Sequence, residues 1–390
     1  MLFEEKLKKF QKSIRLVFLL FLFLISIIFI FVFWSLNNSY FESQSIAESW
    51  QADGLIKYIK ENKRRKHEPI KVKALYLTAY SAGSADKIKE TIDLINKTEL
   101  NAIVIDIKDY SGYLLYDSKI PLVNELGVKK KLIRDLPGVL KELKNNNIYT
   151  IARISTFQDP ILAEKKPEWS LKSKVGGLWR DNKGLAWVDA NKKEVWQYIV
   201  DVAKEASRLG FDEVNFDYIR FPTDGNLSNI IYTNGDKKRY EVMAEFYKFL
   251  SDNMSREPVY ISADLFGLTT ERTGENDMNI GQRIVDAVKY FDYVCPMVYP
   301  SHYPAGYMNF PNPADYPYEV VYNAMKIGVE RTKDEPAKLR SWIQYFNLGA
   351  VYDGDKVRAQ INASDDAGAD GWLLWNARNV YDGRGLEYNN

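Results

Sequence analysis

A (β/α)8 barrel of the α/β class, preceded by one N-terminal membrane-spanning helix, is the architecture this sequence predicts. Three observations lead there. From Val72 onward, eight strand-like segments alternate with seven helix-like ones. One of these segments, Gly210-Phe211-Asp212-Glu213-Val214-Asn215-Phe216-Asp217-Tyr218-Ile219-Arg220-Phe221-Pro222, reads as a strand ending in a carboxylate. Near the start, Leu16–Trp34 is 19 residues long and apolar except for Ser26.

That apolar run is long enough to cross a hydrocarbon core as a helix. Lys6, Lys8, Lys9, Lys12 and Arg15 precede it, and no lysine or arginine follows until after Asp53. The charge asymmetry predicts a cytoplasmic tail (1–15), an uncleaved signal anchor (16–34) and an extracytoplasmic remainder at the cell membrane. A cleaved signal peptide is the rival. It favours a shorter apolar region ending in a small-x-small site, whereas this run ends Phe33-Trp34-Ser35-Leu36. Residues 35–70 read as a spacer, with a weak helical stripe at Ile46, Trp50, Ile56 and Ile59 and a basic stretch from Lys60 to Lys66.

Residues 71–390 are then one large domain. Strands are predicted at 73–79, 102–107, 148–154, 213–218, 258–264, 292–298, 339–345 and 371–375. Helices are predicted at 85–97, 131–146, 191–209, 236–254, 280–290, 318–331 and 354–367. Ser84 has the chemistry of an N-cap, and Gly210 suits the left-handed residue that ends a helix. A doubly wound sheet would more often place a Gly-rich loop after the first strand, and Thr78-Ala79-Tyr80-Ser81-Ala82-Gly83 is not one. Only 15 residues follow the eighth strand, too few for a full helix with its loop; residues 44–64 are a candidate to fill that place.

Composition narrows the chemistry. A net charge of +1 gives no indication of a nucleic-acid partner. The single cysteine, Cys295, rules out an internal disulfide, an iron–sulfur cluster and a cysteine-based zinc site. With only His67 and His302 and no G-x-S-x-G elbow, a serine triad has no support. No cofactor and no metal are expected, and catalysis must run on carboxylates.

The carboxylates fall where a barrel enzyme needs them, at the C-terminal strand ends. Asp106 and Lys108 end the second strand, Asn215 and Asp217 the fourth, Ser262 and Asp264 the fifth, and period-2 parity puts each pair on one face. Three carboxylates converging on a barrel mouth suit glycoside hydrolysis, one ionised and one kept protonated by repulsion and desolvation. Asp217 is the expected nucleophile or charge stabiliser, Asp264 the general acid/base, and Asp106 a third carboxylate that orients substrate or holds Arg153. Each also has a structural alternative: Asp106 can pair with Lys108 or Arg153, and Asp217 with Arg220. Substrate contacts are expected from Lys108, Arg153, Asn215 and Arg220, from Tyr299 and His302 on the sixth loop, and from Gln344, Trp375 and Asn376 after the last two strands. The long third loop, 155–190, adds Trp169, Trp179 and Trp187, either as a rim for sugar rings or as packing.

The segments Lys73–Tyr80, Asn101–Asp109 and Val214–Pro222, together with Cys295–Tyr303 and Gly371–Asn376, resemble the DUF4015 family of glycoside-hydrolase-like barrels. The resemblance spans about 72–380 and implies a TIM barrel of the glycosidase superfamily acting on carbohydrate. It places Asp217 where α-amylase-like and α-galactosidase-like barrels carry their nucleophile. Ile219 stands where a chitinase-like motif has glutamate, and Gln344-Tyr345 where β-glycanases carry a strand-seven carboxylate. The expected function is a membrane-anchored hydrolase of an envelope or extracellular polysaccharide. The alternative is a non-catalytic carbohydrate-binding barrel serving as an envelope scaffold.

The charge asymmetry around Leu16–Trp34 generates a topological prediction. Protease added to intact cells digests the barrel domain. Its protection, while a known external protein is cut, would reverse the orientation.

Overall fold

The computed structural model describes Lys66 and residues 68–389. The anchor at Leu16–Trp34 and nearly all of the spacer lie outside the described residues. Among the described residues no helix is long and apolar enough to cross a membrane.

Eight parallel strands close on themselves. They are β1 (Val72–Leu77), β2 (Ala102–Lys108), β3 (Tyr149–Ser155), β4 (Glu213–Asp217), β5 (Tyr260–Phe266), β6 (Tyr293–Met297), β7 (Ser341–Gln344) and β8 (Gly371–Trp375). Each pairs with the next, and β1 pairs with both β2 and β8, so the sheet has the closed order of a (β/α)8 barrel. Alternation decides which residues face where. Val72, Ala74, Tyr76, Ala102, Val104, Tyr149, Ile151, Cys295, Trp342 and Leu373 fill the interior. Their strand neighbours, among them Leu75, Ile103, Ile105, Val214 and Phe216, pack outward against the helices.

The helices begin and end for local reasons. Ser84 caps α1 (Ala85–Lys97) by accepting from the Lys87 amide. Further on, α2 (Leu136–Asn145) starts later than the expected 131, because Asp135 caps it and Pro137 presets its first turn. Upstream, Lys129–Ile133 forms a strand against Leu114–Tyr116, extending the sheet beside β2. Gly210, at φ 110°, ends α3 (Lys193–Leu209). The expected helix at 280–290 contracts to the short turn Ile284–Ala287. Thr78 caps a turn at Ala79–Ala82, so β1 stops at Leu77 rather than continuing to 79.

Two seams need special chemistry. At the β6–β7 seam, Pro296 has no N–H to donate, and the two strands share one register pair, Met297 with Trp342. At the β1–β8 seam, the 376–389 segment contains no helix and folds back instead. Tyr381 Oη donates to the Tyr76 carbonyl at 2.9 Å, and Asn379 Nδ2 to the same carbonyl at 3.1 Å.

Gly371 opens β8 opposite Val72, and a Cβ there would sit 2.0 Å from the Val72 carbonyl oxygen at φ +107°. Gly371→Ala is expected to cost more than about 2 kcal/mol, from steric overlap plus backbone strain. Gly176→Ala, at φ +101° with nothing within 4 Å, is expected to cost about 1 kcal/mol from backbone strain alone. Urea denaturation of the two variants checks the difference; equal losses would contradict it.

Candidate active site

The C-terminal end of the barrel is organised by a single arginine. Arg153 on β3 lies in register with Asp106 on β2 and Asn215 on β4. Its Nη1 donates to Asp106 Oδ1 at 2.7 Å, and its Nη2 donates to Asp217 Oδ2. Its Nε stands 3.5 Å from Asp264 Oδ2, an ion-pair contact without a hydrogen bond. The three aspartates are 3%, 6% and 1% exposed, so this is a nearly dry cluster.

Further groups hold the acids in place. Tyr76 Oη donates to Asp106 Oδ2 at 2.5 Å. Asp264 Oδ1 accepts from Asn215 Nδ2 at 2.8 Å and from Trp342 Nε1 at 2.7 Å. The Tyr218 amide donates to Asp217 Oδ1 at 2.6 Å, with Tyr218 itself at φ 53°. A bulky residue in the left-handed region costs about 1 kcal/mol or more, and such strain concentrates at functional sites. Here it turns the chain sharply at the strand end, leaving the Tyr218 ring on a cavity wall.

Charge follows from this geometry. Burial pushes the Asp264 carboxyl up to about 8, and the negative charge of Asp217 adds to the shift against the pull of Arg153. Burial also raises Asp106, again opposed by Arg153. Burial by itself disfavours the charge on Arg153, but the fields of Asp106 and Asp217 outweigh it and hold the guanidinium firmly protonated. The guanidinium takes the place between the acids that a cation would occupy. Among the described residues no group of three or more His, Cys, Asp or Glu side chains is arranged to hold a metal ion.

Two cavities open above the cluster. One, of about 340 Å³, is lined by Asp217, Tyr218, Arg220, Phe266 and Tyr303, among others. The other, of about 710 Å³, is lined by Trp375, Asn376, Tyr345, Phe346 and Arg378, among others. Tyr299 and His302 line both and form the partition between them. Asp106 and Asp264 line neither.

The residues singled out from sequence therefore separate. Asp106, Arg153, Asn215, Asp217 and Asp264 meet in one cluster; Arg220, Tyr299, His302, Trp375 and Asn376 reach the cavities. Lys108 does not. A register shift between Asp106 and Lys108 breaks the expected parity, and Lys108 is fully buried against Asp159 at 2.9 Å and the Ser155 carbonyl at 2.6 Å. Gln344 is also fully buried and serves the loops, donating to the Phe346 carbonyl at 2.9 Å. Asn376 lines a cavity while its amide is spent on the Tyr345 and Val380 carbonyls. Trp179 and Trp187 are 2% and 3% exposed, line neither cavity, and donate their indole N–H to the Asn226 carbonyl and Asp181 Oδ2. Trp169 is half-buried against the core.

Tyr76 and Trp342 were not singled out as site residues, although each grips an aspartate. Tyr76 also stacks on Trp375 at 4.1 Å, and the Arg153 guanidinium lies 5.1 Å from the Trp375 ring. Inward strand parity is the signal that would have found both.

The raised Asp264 carboxyl makes a signed prediction. An unfolded aspartate titrates near 3.9, so between about pH 4 and pH 8 the folded state holds the extra proton and stability falls as pH rises, by at most about 1.4 kcal/mol per pH unit. This contribution is fully present below about pH 4 and lost by about pH 8. Asp264→Asn cannot lose that proton, so the variant's stability profile should be flatter across this window. Parallel profiles in denaturant titrations would contradict it.

Comparison with known proteins gives the cluster its context. A hypothetical protein from Ruminiclostridium thermocellum is 43% identical over 49% of this chain and 96% of its own, with a TM-score of 0.46. The PgaB (BpsB) glycoside hydrolase domain from Bordetella bronchiseptica is 11% identical, covering 80% of this chain and 95% of that one, with a TM-score of 0.57. The α-galactosidase TtGalA from Thermus thermophilus is 12% identical, covering 83% of this chain and 61% of that one, with a TM-score of 0.52. At these identities the last two likenesses establish the barrel fold. No curated protein gives a significant match. Residues 74–381 match DUF4015, described as "Putative glycosyl hydrolase domain", and the chain belongs to that family.

Proposed function

We propose that this protein hydrolyses glycosidic bonds of an envelope or extracellular polysaccharide at the mouth of the barrel, held to the membrane by Leu16–Trp34. The observation that carries the reading is Asp217: a carboxylate at the end of β4, fixed by Arg153 and the Tyr218 amide, that lines a cavity of about 340 Å³. Asp217 is the nucleophile or charge stabiliser facing an oxocarbenium-like transition state. Asp264, enclosed below it and holding a proton near neutral pH, is a positioning residue that orients Asn215 and limits the negative charge on the cluster. The general acid/base role expected of Asp264 stands beside this one, since a proton held near neutral pH suits a donor to the leaving oxygen. Asp106 fixes Arg153 from the other side. Trp375, half-buried on the wall of the larger cavity and stacked on Tyr76, offers a ring face for a sugar.

One observation favours a second reading, a carbohydrate-binding barrel without turnover. All three carboxylates are engaged by one guanidinium, and only Asp217 of the three reaches a cavity described here. The two readings separate on full-length protein in detergent, incubated with purified envelope polysaccharides. Hydrolysis predicts released reducing ends, lowered by more than about 10²-fold in Asp217→Asn, with polysaccharide retention and melting temperature kept. Retention without released ends from the wild type supports the scaffold. An Asp217→Asn enzyme at near-full rate would remove Asp217 from the mechanism.

A further inference from the structure

The three most enclosed arginines of the barrel differ in one respect. Arg153 meets Asp106, Asp217 and Asp264, and Arg340 meets Glu213 at 2.8 Å. Arg220 is 8% exposed, yet no carboxylate lies within ion-pair distance of it among the described residues. Its protein hydrogen bonds come from Nη1 alone, to the Phe221 carbonyl at 3.1 Å and Thr223 Oγ1 at 3.4 Å. A guanidinium carries five N–H donors in a planar fork. The remaining donors of Arg220 have no acceptor among the described residues.

Its surroundings are those of a receptor for an anion. The guanidinium carbon lies 5.0–5.2 Å from the ring centres of Phe266, Tyr218 and Trp187, which hold the charge in place without neutralising it. Asp217, Asp224 and Asp181 act on it from longer range. Of these, Asp217 already has Arg153 as its counter-ion. Asp181 and Asp224 accept from loop amides, Asp181 from Leu185 at 2.9 Å and Asp224 from Asn182 at 3.2 Å. Arg220 lines the same 340 Å³ cavity as Asp217, a volume at the small end for a ligand site. A buried cation on a cavity wall with spare donors is stabilised by a ligand that brings the missing charge, and a fork of N–H groups fits an oxyanion in bidentate fashion.

We infer that the cavity beside Asp217 takes a sugar unit bearing an anionic substituent, a carboxylate or a phosphate ester, which Arg220 grips with its free N–H groups. The substrate class is then an acidic polysaccharide. This rests on the carbohydrate reading above, but it is tested by binding rather than by turnover.

Full-length protein in detergent is titrated with galacturonate, galactose and galactose 6-phosphate, and in parallel with the corresponding gluco sugars, by ligand-observed NMR. At least one acidic sugar should bind at least about tenfold more tightly than its neutral parent, because the charge-assisted bidentate contact is absent from the parent. Whether the uronate or the phosphate wins identifies the anion. Arg220→Gln should bring the acidic-to-neutral affinity ratio to about one, and Arg220→Lys should retain part of it as a point charge. Added salt should shrink the ratio in the wild type. Equal affinities in the wild type, or a ratio that survives Arg220→Gln, would overturn the inference while leaving a sugar site. Binding of none of the six would overturn it together with the carbohydrate reading of this cavity. Far-UV spectra and melting curves of both variants confirm that the ratios are read on folded protein.

Discussion

Three carboxylic acids and one guanidinium share the mouth of this barrel, and the remaining features of the site follow from how that imbalance is met. Asp106, Asp217 and Asp264 come from β2, β4 and β5, and Arg153 from β3 among them. With all three acids ionised, the cluster would carry more buried negative charge than one arginine can compensate. Burial therefore forces a proton in, and Asp264, the least exposed of the three and the one furthest from hydrogen bonding with Arg153, is the acid raised to about 8. Tyr76 then fixes Asp106 in one orientation, Asn215 and Trp342 fix Asp264, and the Tyr218 amide fixes Asp217. Removing Arg153 would leave uncompensated buried charge, a loss of about 3–5 kcal/mol for pairs of this kind.

The same interior repeats the device at its other end with a different outcome. Glu213 starts β4, points to the barrel bottom and is closed off by Arg340 and the Tyr149 hydroxyl. There the charges balance and no described cavity adjoins them, which is the signature of a stabilising pair. At the top, the kink at Tyr218 carries Arg220 away from Asp217, so one cation engages the three acids without balancing them while a second lies on the cavity wall. Asp217 and Arg220 are thus given different surroundings within four residues of chain.

Much of this was legible in the sequence because alternation is a strong signal. Eight strands, the caps at Ser84 and Gly210, and the convergence of Asp106, Asp217 and Asp264 all follow from period-2 faces and turn chemistry. What failed had local causes that alternation cannot register. The bulge after Asp106 rotates Lys108 out of the mouth, and a proline and a cap delay α2, giving 131–133 to a strand. Trp179 and Trp187 look alike as loop aromatics whether they meet sugar or core, and the fold buries both. Asp264 sits on the face that parity assigns it, while its depth below the cavity is a three-dimensional property with no trace in spacing. Tyr76 and Trp342 were readable by the same parity that found the acids.

The central claim is that the aspartate cluster keeps a proton at neutral pH because one arginine cannot compensate three buried carboxylates. Carbon-13 NMR of protein labelled at the aspartate side-chain carboxyl, titrated across pH 4 to 10, measures this directly. The account predicts one resonance titrating near 8 in the wild type and absent from Asp264→Asn. Spectra in which every aspartate carboxyl has finished titrating below about pH 5 would contradict it.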